Sequence, residues 1–418
     1  WHGAQYNLKN RRILKSGMPP LPKSAHRPEG FYKDVFMNGG VNLSSRRNLP
    51  AAESAGLSYE LYAGRDPDKQ RELIVDNDHD DNGVLLYPDG QPRFRLIYVN
   101  GGGATAHGKT LESAGRKVFR QFFNNGGSYS GSCAGSFLSG RNTNTNSLRR
   151  LGYLHIFPYN TLTSGIKKTR LGHVIPHESP LLKYHDFGGD YYVPDIYHNN
   201  GNWLSQALLK KMKHVEVLAT YDLPKNRVHE GAAIWAYKKD KAAGRIINIG
   251  SHPEGSTSGE KLQITEACFR YAVDGVGTPN LKGKLKSGVE RHMNKRTSDN
   301  DPDHTRIGDL QYHHFSFETT EPTTHIQVEL KGEKDFDFCL YLKKDTPAFR
   351  SNADYAVTGS GNTKAIRKQL TPGKWFVSVE CTTTVKAELD GCRGFFNYSG
   401  KTSVLNGAAY KIKLVTGK

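Results

Sequence analysis

Long apolar runs are missing from this chain. No stretch of about 18 apolar residues occurs, so no segment is expected to cross a membrane as a helix. Sulfur is sparse, with five cysteines in 418 residues. Carboxylates are in deficit: 41 acidic residues face 58 basic ones, a net charge of +17. That balance suits acidic substrates or anionic surfaces as neighbours and says nothing about fold. Base-reading motifs and arginine-rich tracts are absent, which removes nucleic acid from the expected partners. The length suits two or three domains, each with its own core.

Glycine is plentiful, at 44 residues, and one cluster of it carries chemistry. The stretch Gly126-Gly127-Ser128-Tyr129-Ser130-Gly131-Ser132-Cys133-Ala134-Gly135-Ser136 reads as a strand end, a sharp turn and a helix start. Cys133 sits at the tip of a G-x-nucleophile-x-G pattern, the nucleophile elbow with Cys in place of Ser. Small neighbours are required there, because side chains two residues away on either side would collide with the strand or the helix. The dipole of the helix that follows favours negative charge on the sulfur. The plainer alternative is a glycine-rich turn around an inert buried cysteine.

Taken in order, residues 1–30 are basic and proline-rich and read as an extended arm. A strand over 32–37, a helix over 49–56 and a strand over 57–62 open a parallel α/β sheet. In the acidic loop 76–89, Asp78, Asp80 and Asn82 precede Gly83 at the spacing of a calcium loop, and Asp89 falls at its twelfth position. A solvated acidic turn competes with structural calcium, since the twelfth residue is not Glu and flanking helices are not evident. Residues 95–99 read as a buried central strand ending in Gly101-Gly102-Gly103. Such glycines bring backbone N–H groups close to a bound atom, as a phosphate cradle or as an oxyanion hole. The oxyanion hole fits better, because the elbow follows one crossover helix later. That helix, over 110–124, places Leu111, Ala114, Val118, Phe119, Phe122 and Phe123 near helical spacing.

Residues 191–201 combine aromatics with His198 and Asn199 and read either as a pocket lining with those two as substrate contacts, or as a buried strand edge. Strands over 215–221, 231–237 and 244–250 follow, and the last runs into Ser251-His252-Pro253-Glu254. A His at a strand end with a Glu two residues on supplies a base and the carboxylate that orients it. Residues 280–307 read as a polar linker. From 308 to 418 the pattern turns to alternation in short strands, an antiparallel β-sandwich.

Three motifs, Gly101-Gly102-Gly103, Gly131-Ser132-Cys133-Ala134-Gly135 and His252-Pro253-Glu254, appear in that order across 31–279. On them this region resembles the class I glutamine amidotransferase-like superfamily, in particular its biotin-protein ligase N-terminal-like branch. The resemblance implies a flavodoxin-like parallel sheet and a Cys133–His252–Glu254 triad. It also implies an oxyanion hole from the N–H groups of Ala134 and of Gly102 or Gly103. The sequences DFDFCLYLKK and LTPGKWFVSVE resemble the bacterial pre-peptidase C-terminal domain, which accompanies secreted hydrolases and in some cases contacts polymers or cell surfaces.

The expected function is a cysteine-dependent amidohydrolase, secreted or periplasmic, acting on an amide or peptide through a thioester and requiring no cofactor. The start at Trp1 is read as a mature chain. Beyond Cys133, the cysteines Cys268, Cys339, Cys381 and Cys392 leave room for one or two disulfides. Two other readings stand beside it: a glutaminase subunit handing ammonia to a separate partner, and a non-catalytic binding protein with a relic domain.

Overall fold

The computed structural model describes residues 28–38, 43, 49–62, 67–75, 82–297, 300–322, 324–390 and 395–417. Most of the basic arm, Asp78, Asp80 and Cys392 lie outside the described residues.

The first domain is built on one sheet of nine strands. The chain enters through β1 (Lys33–Asn38), α1 (Pro50–Ser54), β2 (Tyr59–Tyr62), α2 (Pro67–Val75) and β3 (Phe94–Val99). Next come α3 (Ala104–Thr110), α4 (Glu112–Asn124), β4 (Ser128–Ser132) and α5 (Ala134–Ser139). After β5 (Leu162–Thr163), β6 (Thr169–Val174), β7 (Tyr192–His198) and β8 (Asn202–Trp203) come α6 (Gln206–Leu209) and β9 (Val215–Asp222). The domain closes with β10 (Ala232–Tyr237), β11 (Ile246–Ile249) and α7 (Gly259–Val273).

Strand order is β2-β1-β3-β4-β11-β10-β9-β6-β7. The neighbours from β2 to β11 are parallel, and from β11 to β7 they are antiparallel. The parallel sheet expected from the sequence is thus its first half. Connections such as 237–246 are too short for the helical crossover that a parallel neighbour needs, so the second half must reverse direction.

β3 shows how the sheet is buried on both faces. Ile97 and Val99 join one core with Val118, Phe119, Phe122 and Phe123 of α4. Leu96 and Tyr98 join the other with Ile264, Ala267 and Phe269 of α7. The 3.6-residue period of 110–124 was legible because one face of α4 stays wet. α7 is buried nearly continuously from Ile264 to Val273, so its sequence shows no such alternation.

The second domain is a sandwich. β12 (Leu281–Lys284), β13 (Glu290–Met293), β14 (Tyr312–Thr319), β15 (Thr324–Gly332), β16 (Phe338–Lys344) and β17 (Tyr355–Val357) come first. They are followed by β18 (Thr363–Leu370), β19 (Gly373–Cys381), β20 (Lys386–Asp390), β21 (Phe395–Ser399) and β22 (Tyr410–Gly417). The sheets β12-β14-β19-β16-β17 and β13-β22-β15-β18 enclose a core of Phe315, Leu340, Val377, Val328, Ile366 and Ile412. The stretch 280–307 is therefore not a free linker. It gives an edge strand to each sheet, with Lys284 exposed and Lys282 turned inward, and these charges made it read as polar.

Cys268, Cys339 and Cys381 are buried and unbonded. They belong to three different apolar clusters, so no disulfide joins them.

The domains meet over buried charge. The Asp89 carboxylate accepts from Lys282 Nζ at 2.6 Å and from Gln311 Nε2 at 2.9 Å, and His313 Nε2 lies 3.3 Å away. Arg93, fully buried, donates to Leu405 O at 3.2 Å and stands 3.5 Å from Asp309. Asn82 Oδ1 accepts from the N–H of Asn300. The second half of the candidate calcium loop is thus committed to the domain junction. Burial opposes charge on Asp89, but Lys282 and His313 outweigh it and hold the carboxyl well below its usual range.

Asp89→Asn leaves Lys282 without its anion and is expected to cost about 3 kcal/mol in urea denaturation at neutral pH. A depressed pKa contributes stability above the ordinary value and loses it below. The gap between wild type and variant should therefore shrink as pH falls beneath 3.8, the ordinary value for this group.

Candidate active site

β4 ends at Ser132 and α5 begins at Ala134, so a single residue turns the chain between them. That residue, Cys133, has φ 45° and ψ −103°. A non-glycine residue held there costs on the order of 1–3 kcal/mol and persists only when its surroundings over-determine it. The surroundings do so. The Cys133 N–H donates to Ile249 O of β11 at 2.8 Å, and Phe137 N donates to Cys133 O at 3.0 Å. A Cβ on Gly131 would stand 2.3 Å from Gly135 C, and one on Gly135 would stand 1.9 Å from Val99 O. Tyr129 Oη donates to Gly135 O at 2.7 Å. The two glycines let helix and strand close on the cysteine from both sides, as the pattern required.

β11 runs parallel to β4 with Ile249 beside Ser132, which brings the residues after Ile249 to the same sheet edge as Cys133. His252 Nδ1 lies 3.0 Å from Glu254 Oε1, and the Glu254 side chain is fully buried. The Cys133 thiol lies on the other side of the imidazole, near enough to act on its pKa. Burial disfavours the imidazolium, but the interactions with Cys133 and Glu254 and their charges outweigh it and take the pKa up to about 10. Gly101 packs flat on the ring, and a Cβ there would meet His252 Cε1 at 2.2 Å. Cys133, His252 and Glu254 are thus brought together in one chain of contacts.

The glycine loop leaves β3, the immediate neighbour of β4 with Val99 beside Gly131. Gly102 has φ 141°, open only to glycine, and Gly103 stands at the N-cap of α3. Both are exposed on the cysteine side of the sheet edge, and Ala134 opens α5. Gly103 to Thr110 also spells G-x-x-x-x-G-K-T, the spacing of a phosphate loop, a signal the oxyanion reading does not use. The fold argues against the phosphate role. Residues 104–110 are helix rather than loop, His107 N bonds back to Gly103 O, and Gly108 is buried against Gly152.

His198 and Asn199 part company. His198 is buried at the end of β7, the strand-edge alternative. Its Nε2 bonds Ser164 Oγ at 2.8 Å and its Nδ1 bonds Ser251 Oγ at 3.0 Å. Burial and the charge of nearby His252 push its pKa down to about 4. It braces the residue before His252 from behind. Asn199 does lie at the sulfur, through its backbone: the thiol donates to Asn199 O at 3.8 Å. Tyr197 covers the imidazole, with its O accepting from His252 N at 2.8 Å and its ring centroid 5.6 Å from the imidazole's. Sequence reading missed Tyr197, Ser164 and Ser251 as parts of the site. Only the aromatic density of 191–201 pointed to it.

No family model matches this chain, and no curated protein does. Solved structures similar to it include a glutamine amidotransferase, 13% identical over 54% of this chain and 90% of that one, with a TM-score of 0.33. A putative ThuA-like protein from Bacteroides uniformis is 16% identical over 63% of this chain and 98% of its own, at TM-score 0.36. The pre-peptidase C-terminal domain of a Bacillus anthracis collagenase is 13% identical over 33% of this chain and 99% of its own, at TM-score 0.20.

Removing the anion beside His252 has a defined readout. In Glu254→Gln, the NMR titration midpoint of the His252 ring should fall by about 1–3 pH units from the wild-type value. The raised pKa contributes stability that is complete below 6.5, the ordinary value, and is lost as pH climbs through about 10. The wild type should thus weaken over that range in urea denaturation, and the variant's stability should change less.

Proposed function

We propose that this chain is a cysteine-dependent amidohydrolase. One observation carries the reading: an imidazole set between the sulfur of a strained elbow cysteine, which raises its pKa, and a buried carboxylate 3.0 Å away. That is a nucleophile, a base and an orienter in mutual contact.

In the proposed cycle the Cys133 proton already rests on His252, whose pKa is raised, and the sulfur attacks the amide carbonyl carbon as thiolate. The carbonyl π electrons move onto oxygen. The N–H of Ala134 and that of Gly102 or Gly103 receive this oxyanion. His252 then gives its proton to the amine as the C–N bond breaks. A thioester remains on Cys133. Water, deprotonated by His252, attacks the thioester carbon, and the sulfur departs as thiolate. Glu254 holds the ring and balances the imidazolium throughout. Gly101 supplies the flat floor that lets the ring sit where both transfers need it. The cycle asks for no cofactor. The substrate is an amide or peptide, and the sequence likeness of the sandwich to domains of secreted hydrolases favours work outside the cytoplasm.

A panel of glutamine, simple primary amides and peptides, read by ammonia or amine release, tests the reading. Cys133→Ala should lose hydrolysis by at least about a thousandfold while keeping its melting temperature. Retention of hydrolysis by this variant would overturn the reading. Ammonia release that appears only with a separate protein added would point to the glutaminase subunit instead.

Gly101→Ala is a finer test. The added methyl displaces the imidazole, and misplacement on the order of 1 Å costs about a hundredfold in rate. Iodoacetamide labelling of Cys133 should slow in parallel, whereas labelling of buried Cys268 should not change.

A further inference from the structure

The outer flank of α3 and α4 carries a patch that the hydrolase reading does not use, and the inference below is independent of that reading. Arg116 and Arg120 stand one turn apart on α4 and so share a face. Arg116 Nη1 donates to Gly108 O at 2.6 Å. Gly108 is pressed on the backbone of Gly152, where a Cβ would stand 1.6 Å from the carbonyl oxygen. This contact seats the loop 141–152 beside the α4 arginines and brings Arg149 toward them, with the exposed Arg150 next in the loop. His155 Nε2 bonds Arg150 O at 2.7 Å. Burial, and then the charges of Arg149, Arg120 and Arg116, push the His155 pKa down.

Three of these arginines, Arg116, Arg120 and Arg149, thus act on His155 together, Arg150 turns to Tyr153 Oη at 3.5 Å, and among the described residues none of the four pairs with a carboxylate. The acid on the same helix, Glu112, is taken by Arg71 at 2.7 Å. Cations left together without anions repel one another, so an arriving anion relieves a standing cost.

Two leucines bracket the arginine pair. Leu148 is 74% exposed and Leu151 is 83% exposed. They are held out and do not dangle. Arg150 N donates to Arg141 O at 3.0 Å and closes the loop. Asn142 Nδ2 donates to Leu148 O, and Leu148 N donates to Asn146 Oδ1. Asn160 Nδ2 binds the carbonyls of Asn144 and Asn146. The asparagine-rich sequence 142–146 is spent on fixing a loop whose tip is apolar and cationic.

A soluble polyanion would meet the arginines and gain nothing from the leucines. An apolar partner would use the leucines and bury unpaired charge. A lipid surface offers anionic headgroups with hydrocarbon directly beneath, which matches both. We propose that the loop 141–151, with Arg116 and Arg120, docks this protein on an anionic phospholipid surface, leucines in the headgroup boundary and arginines among the phosphates. The net charge of +17 steers the approach.

Flotation of the full chain with vesicles tests this. Phosphatidylcholine vesicles containing phosphatidylglycerol should carry the protein up, and pure phosphatidylcholine vesicles should not. Arg149→Gln with Arg150→Gln should weaken binding about 25-fold, at roughly fivefold per arginine. Leu148→Ser with Leu151→Ser should weaken it about tenfold, leaving a remnant that salt removes. Lys210→Gln with Lys211→Gln changes the charge equally elsewhere and should have no comparable effect. All variants should keep the wild-type melting temperature. The proposal is overturned if the leucine variant floats like wild type, or if the control pair weakens binding as much as the arginine pair. It is also overturned if no flotation occurs at low salt. Leucine-independent capture by soluble polyphosphate, with equal affinity, would reassign the patch to a polyanion.

Discussion

The backbone of Cys133 is the constraint to which the rest of the first domain answers. A positive φ at a residue with a side chain is unfavourable, and nothing local rewards it. What holds it is tertiary: strand β11 on its N–H, the carbonyl of Val99 against Gly135, and Gly135 against Gly131. Remove the close approach of any one and the chain would relax to an ordinary turn, carrying the sulfur away from His252. Three parallel strands must therefore be in register before the cysteine points where it does, and β3, β4 and β11 are adjacent in that order.

The antiparallel half of the sheet then has a purpose beyond extending the core. It brings the chain back across the edge that the parallel half created. Tyr197 bridges to His252, Gly201 packs on Gly250 O, and Leu204 bridges to Ala232. The segment 197–204 thus roofs the ends of β10 and β11. Behind it, His198 ties Ser164 to Ser251. A neutral histidine suits that place. A second cation beside His252 would oppose the imidazolium that Cys133 and Glu254 support, and burial, then the charge of His252, hold the His198 pKa down.

The sequence was readable wherever one residue type had one physical use. Gly131, Cys133 and Gly135 could be placed because only glycine fits beside such a turn, and His252 and Glu254 because a strand leads straight into them. The central strand was readable as an unbroken apolar run, and β15 as strict alternation. What failed to show were features that depend on partners far along the chain. Asp89 looked like a loop acid until Lys282 and Gln311, nearly two hundred residues away or more, were folded onto it. The polar run 280–307 looked unstructured because its strands lie at sheet edges, where one side faces water. His198 could be read as a substrate contact or as part of a buried strand edge, since no local pattern separates a buried histidine between two serines from an exposed one. The carbonyl of Asn199 was beyond reach, because a backbone atom leaves no mark in sequence.

That carbonyl changes how the site is understood. The thiol donates to it from one side and the imidazole lies on the other, so the sulfur is held between the end of β7 and the end of β11. Asn200, with φ 56°, is pinned by its N–H to Ile166 O and by its side chain to Gly165 N, and Asn199 Oδ1 accepts from Lys168 N. The loop 165–168 thus fixes where the roof places the Asn199 carbonyl beside the sulfur.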